Sequence, residues 1–131
     1  MEVLNVIVAA AAAYVFGAVW YMKLAEPWMA AAGIEKGPDG RPKGAGNPMP
    51  YVISAISLLV VAGMMRHVFG MASIDSVGKG IAAGFGLGAF VATPWIVTNY
   101  AYSSRPRNLT LIDSGFATIG CTIIGLVLSL F

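Results

Sequence analysis

The chain reads as four long apolar runs separated by three polar interruptions. The runs are about 4–24, 50–69, 80–102 and 111–131. Within them polar and apolar residues do not alternate, as they would in the strands of a membrane β-barrel. Each run reaches the ~20 residues that an α-helix needs to cross the hydrocarbon core. A peptide group without a hydrogen-bond partner costs several kcal/mol in lipid, and a helix satisfies its backbone within one segment. The pattern predicts an all-α membrane protein: a four-transmembrane-helix bundle forming one domain over residues 1–131.

The first interruption is the longest. Glu26-Pro27-Trp28-Met29-Ala30-Ala31-Ala32-Gly33 has proline near its start and glycine just past its end, the asymmetry of a helix. Trp28 suits the headgroup level. A short interfacial helix in the first loop is expected here. Residues 33–48 hold five glycines and three prolines, so a turn-rich surface segment follows. The first run is preceded by Glu2 and no lysine or arginine, and it exceeds the apolar stretch of a signal peptide. It reads as a retained helix.

Composition narrows the class. Of 131 residues, 58% are hydrophobic and 11% charged, against about 45–50% and ~25% in soluble domains. A soluble domain of this size leaves about 30% of its unfolded-chain surface in water, more than so few charges can cover. A soluble enzyme and a disordered chain are excluded. The net charge is +2, and the basic residues stand singly or in pairs, without the basic face that nucleic acid requires. The expected partner is the lipid bilayer.

Lysine and arginine also set orientation. The first loop carries Lys23, Lys36, Arg41 and Lys43, and the third carries Arg105 and Arg107. Only Arg66 and Lys79 lie on the other side. This bias puts the first and third loops in the cytoplasm and both termini outside, in a multi-pass membrane protein.

Small residues mark helix contacts in lipid. Gly80, Gly84, Gly88 and Ala92 recur every four residues, and Gly86 widens the stripe. Ala9, Ala13 and Gly17 form a similar face on the first helix, and Ser114, Thr118 and Thr122 a hydroxyl face on the fourth. The glycine stripe can serve a contact within the chain or with another subunit. Pro94 removes a backbone bond and is expected to kink the third helix. Trp95, Tyr100 and Tyr102 beyond it read as an interfacial belt.

No charge falls at the middle of a run. Arg66 and His67 lie near the outer end of the second, where arginine can snorkel. Asp113 opens the fourth helix at capping-box spacing from Thr110, with Arg105 and Arg107 near enough to pair with it. Lys23 and Glu26 are spaced for an ion pair. One histidine and one cysteine make a poor metal set, and neither a Ser/His/Asp set nor a phosphate loop appears. The methionines around His67 read as packing residues rather than haem ligands, and Cys121 as a small hydrophobe. No catalytic residue and no cofactor is expected.

Two segments carry a resemblance. Gly17-Ala18-Val19-Trp20-Tyr21, followed by Pro27-Trp28-Met29 and Gly33, resembles a bacterial family called domain of unknown function 1761. Leu111-Ile112-Asp113-Ser114-Gly115-Phe116 is similar to a pattern near that family's end. The resemblance spans the whole chain and implies the same four-helix layout. It implies no activity. It suggests that Trp20, Tyr21, Trp28 and Asp113 share the cytoplasmic end, where the loop count also puts Asn99 and Arg105. Those six residues are the candidate site.

Three functions are open on these grounds. The first is a non-enzymatic protein acting by helix packing, as a homo-oligomer or as an accessory subunit of a larger membrane complex. The second is a small-solute transporter or channel built from several copies, although the first helix lacks the carboxylate on which small four-helix exporters rely. The third is a membrane enzyme or cofactor carrier. The orientation has a direct test. In a Cys121→Ala background, a cysteine at Ala45 is expected to resist a membrane-impermeant thiol reagent in intact cells and to react in inverted vesicles.

Overall fold

The structure, a computed structural model, describes residues 2–131. Helix α1 covers Glu2–Lys23, α2 Ala25–Ala32, α3 Met49–Met71, α4 Val77–Leu87, α5 Thr93–Tyr102 and α6 Arg107–Ser129. A π-helical turn over Gly88–Ala92 joins α4 to α5, making one continuous span over Val77–Tyr102. With α1, α3 and α6 this gives four helices long and apolar enough to cross a membrane. The chain is an all-α, multi-pass membrane protein. Helix α2 is the short helix of the first loop, and Gly33 closes it at φ 73°, a left-handed conformation that glycine adopts without strain.

Two helices start earlier than the apolar pattern suggests. Ser76 caps α4, its Oγ accepting from the Lys79 amide at 3.2 Å. The Lys79 ammonium, 3.0 Å from Asp75, holds that exposed carboxyl below the usual carboxylate range. Pro106, in extended conformation, precedes α6, which begins at Arg107. Asp113 therefore does not open the helix. It lies nearly two turns inside, and the Thr110 hydroxyl turns back to the Pro106 carbonyl instead.

Helix α1 lies between α3 and α6, and α6 in turn packs along α4 and α5. Ala9 and Ala13 are fully buried among Ala62 and Phe69 of α3 and Ile124 and Leu128 of α6. Alanine at these positions lets the neighbouring helices approach closely.

Gly80, Gly84 and Gly88 meet α6 backbone to backbone. A Cβ at Gly80 would lie 2.6 Å from the Gly125 carbonyl oxygen, and one at Gly88 would lie 2.6 Å from the Thr118 Cα. At Gly84 it would strike the Cys121 carbonyl. The stripe is thus filled within the chain. Ala92, its last member, is half-buried in the π turn. Gly86 does not widen the stripe, because a Cβ there meets nothing within 4 Å.

Pro94 explains the π turn. It has no N–H, and its ring would press on the carbonyl four residues back. The Thr93 amide reaches back five residues to the Gly88 carbonyl, and this wider turn lets the span continue. Beside it, the Thr93 and Thr118 hydroxyls are 3.0 Å apart, linking α5 to α6. Thr122 bonds back to the Thr118 carbonyl at 2.7 Å, whereas Ser114 Oγ is buried without a protein partner.

Gly84→Leu and Gly88→Leu are expected to destabilise the bundle by about 3 kcal/mol or more, since backbone rather than a side-chain tip must move. Gly86→Leu is expected to leave stability unchanged. Unfolding curves in a mild detergent check all three.

Candidate functional site

The last turns of α1 and the second and third turns of α6 interlock. The Trp20 indole lies over Gly115, where a Cβ would be 2.7 Å from its Cζ2. The Phe116 ring lies over Gly17, where a Cβ would be 2.7 Å from its Cε1. Each helix thus offers one glycine as a socket and one aromatic ring as a plug. The ring of Phe16 extends the contact, 5.6 Å from Trp20 and 6.2 Å from Phe116. Tyr21 sets an edge against Phe116 at 5.4 Å and against Trp28 of α2 at 6.1 Å. Such pairs contribute about 0.5–1.5 kcal/mol beyond their buried area.

Polar bonds pin the same point. Trp20 Nε1 donates to the Ile112 carbonyl at 3.0 Å. The Tyr21 hydroxyl donates to Oδ1 of Asp113 at 2.5 Å, and the Tyr100 hydroxyl to Oδ2 at 2.5 Å. One carboxylate therefore ties α1, α5 and α6 together, each oxygen accepting from a different helix. It has no ion-pair partner among the described residues. A carboxylate at this depth is costly when bare, and two phenol donors replace much of the water it leaves.

Trp20, Tyr21, Trp28 and Asp113 come together at one end of the bundle. Arg105 is at the same end but does not pair with Asp113. Its guanidinium donates to the Ala32 carbonyl at 3.3 Å, joining the third loop to the end of α2. Asn99 is exposed and takes part only through its backbone carbonyl, which accepts from Ser103. Glu26 pairs with Lys36 at 2.6 Å rather than with Lys23, because the loop folds back over α2.

Sequence reasoning missed Tyr100, Phe16 and the socket at Gly115, and it placed Gly17 on a helix-contact face without its partner Phe116. The sequence places Tyr100 in an interfacial belt with Trp95 and Tyr102, yet its hydroxyl turns inward to the carboxylate. A signal existed: an acidic residue within an apolar stretch calls for donors, and Tyr21 and Tyr100 each lie near the same end of a span.

Both stretches that carried the family resemblance converge here, although their linked residues stand 92 positions apart. The family model described as "Protein of unknown function (DUF1761)" matches residues 4–129. The chain belongs to this family. No curated protein and no solved structure matches it.

Chemically, the arrangement is a clamp. Both carboxylate oxygens are occupied, and no group of three or more His, Cys, Asp or Glu residues is placed to hold a metal among the described residues. Tyr21→Phe and Tyr100→Phe are each expected to lower stability by about 1–2 kcal/mol. The double variant should lose more than the two added together, since it strips Asp113 of both donors. A double-mutant cycle by denaturant unfolding in bicelles measures the coupling.

Proposed function

We propose that the protein is a non-enzymatic membrane protein that acts through lateral contacts in the bilayer, as a homo-oligomer or as an accessory subunit of a larger membrane complex. The observation that carries this reading is the outward face of α4. Gly78, Ala82 and Gly86 recur every four residues on the side away from α6, and a Cβ at Gly78 or Gly86 meets nothing within 4 Å. Small residues at this spacing let a second helix approach closely in lipid. Phe85 and Phe90 stand exposed beside them, their rings 6.3 Å apart. The inward stripe of the same helix is taken by α6, so only the outer one is free for a partner.

The reading also assigns the protein to a bacterial inner membrane, with the first and third loops cytoplasmic. The lysine and arginine bias supports this. The Arg105–Ala32 bond joins the two basic loops at one end of the bundle, so whichever side one takes the other shares.

Native mass spectrometry after gentle extraction tests the proposal. The wild-type chain is expected at a small multiple of 13.6 kDa, or with a stoichiometric larger partner. Gly86→Leu is expected to release the 13.6 kDa monomer with its melting temperature unchanged. A monomeric wild-type protein would overturn the reading.

A further inference from the structure

The end of the bundle opposite the carboxylate clamp carries a second feature. There α1 begins and α3 ends, and a concavity of about 370 Å³ opens between them. Glu2 lines it from α1, and Gly63, Arg66, His67 and Gly70 from α3. A Cβ at Gly70 meets nothing within 4 Å, and one at Gly63 meets only Val6, at 4.0 Å. The two glycines leave room where side chains would otherwise fill the groove. Glu2 also borders a second hollow, lined by Val3, Val6, Ile7 and Leu59. A polar recess at the membrane boundary thus adjoins an apolar groove that descends between α1 and α3.

We propose that this cleft binds a phospholipid with a phosphoethanolamine headgroup, the acyl chain lying along Val6 and Leu59. Arg66 is the anchor. Its side chain is 29% exposed, and its guanidinium donates to the Leu128 carbonyl at 3.3 Å, which fixes its position. A second guanidinium nitrogen is 3.7 Å from the Glu2 carboxylate, beyond hydrogen-bond length. Among the described residues, most of its five N–H donors remain free for a phosphate, which suits the planar fork. The exposed His67 ring stands next to it as a further donor. Glu2, with its side chain 79% exposed, offers a carboxylate to the ammonium. A cation and an anion this close match a zwitterion. A headgroup with a phosphate and no amine would leave Glu2 facing the phosphate uncompensated.

The full-length protein, freed of lipid in detergent, tests this by native mass spectrometry. The probes are dioleoyl phosphatidylethanolamine, dioleoyl phosphatidylglycerol, dioleoylglycerol and phosphoethanolamine without chains. Phosphatidylethanolamine is expected to bind about tenfold more tightly than phosphatidylglycerol, which lacks the ammonium contact to Glu2. It is expected to bind at least about tenfold more tightly than dioleoylglycerol, which lacks the headgroup, and phosphoethanolamine, which lacks the acyl chains. Arg66→Gln should weaken it about tenfold. Gly70→Leu, which fills the cleft beside Arg66 and leaves its charge in place, should do the same at an unchanged melting temperature. Equal binding of dioleoylglycerol would overturn headgroup recognition, and equal binding of phosphatidylglycerol would overturn the role of Glu2. Full affinity for phosphoethanolamine alone would make the cleft a solute site rather than a lipid site. Unchanged binding in Gly70→Leu would overturn the location.

Discussion

Lipid tails are as apolar as leucine, so the hydrophobic effect does not draw membrane helices together. Close packing and polar bonds must do so instead, and α6 is where both are concentrated. Along its C-terminal half, Gly125, Cys121 and Thr118 receive the glycines of α4 and of the π turn at backbone distance. Along its N-terminal half, Gly115 and Asp113 receive Trp20 and the two tyrosines. Helix α1 meets the other side of α6 with alanines, and α3 reaches the bundle mainly through α1.

The N-terminal half carries a charge, and this shapes its surroundings. Asp113 within a span requires donors, and aromatic hydroxyls supply them while their rings remain compatible with lipid. Tyr21 serves twice, donating to the carboxylate and setting its ring against Phe116 and Trp28. Trp20 likewise fills a socket with its ring and uses its N–H on a helix carbonyl. Packing and hydrogen bonding therefore reinforce each other at one point. The short helix α2 is held over that point from one side by Trp28 and from the other by Arg105.

With the interior committed to helix contacts, the surfaces that remain lie outside it. The outer face of α4 is smooth and small. The cleft between α1 and α3 is polar above and apolar below. These two surfaces are on different helices, and neither shares a residue with the clamp. The proposed association in the plane of the membrane and the proposed headgroup site can therefore each be altered without touching the clamp.

The number of spans, the short first-loop helix and the shared end of Trp20, Tyr21, Trp28 and Asp113 were legible in the chain, because run length and the polarity of flanking residues act locally. The inner glycine stripe was legible as a contact, but its partner was not. A spacing of four shows that residues share a face without showing what that face meets. Gly86 illustrates this: it was grouped with the stripe, yet it points away from α6. The partners of Asp113 were beyond local reading too. Arg105 and Arg107 are nearer in sequence, but their guanidinium groups favour the aqueous edge, whereas the crossing of α1, α5 and α6 brings two tyrosines to the carboxylate from within the membrane. By itself the sequence determined that these segments are helices in a membrane and which ends share a side. Only the tertiary structure decided which faces close on one another, because that depends on how closely backbones separated by up to 92 residues can approach.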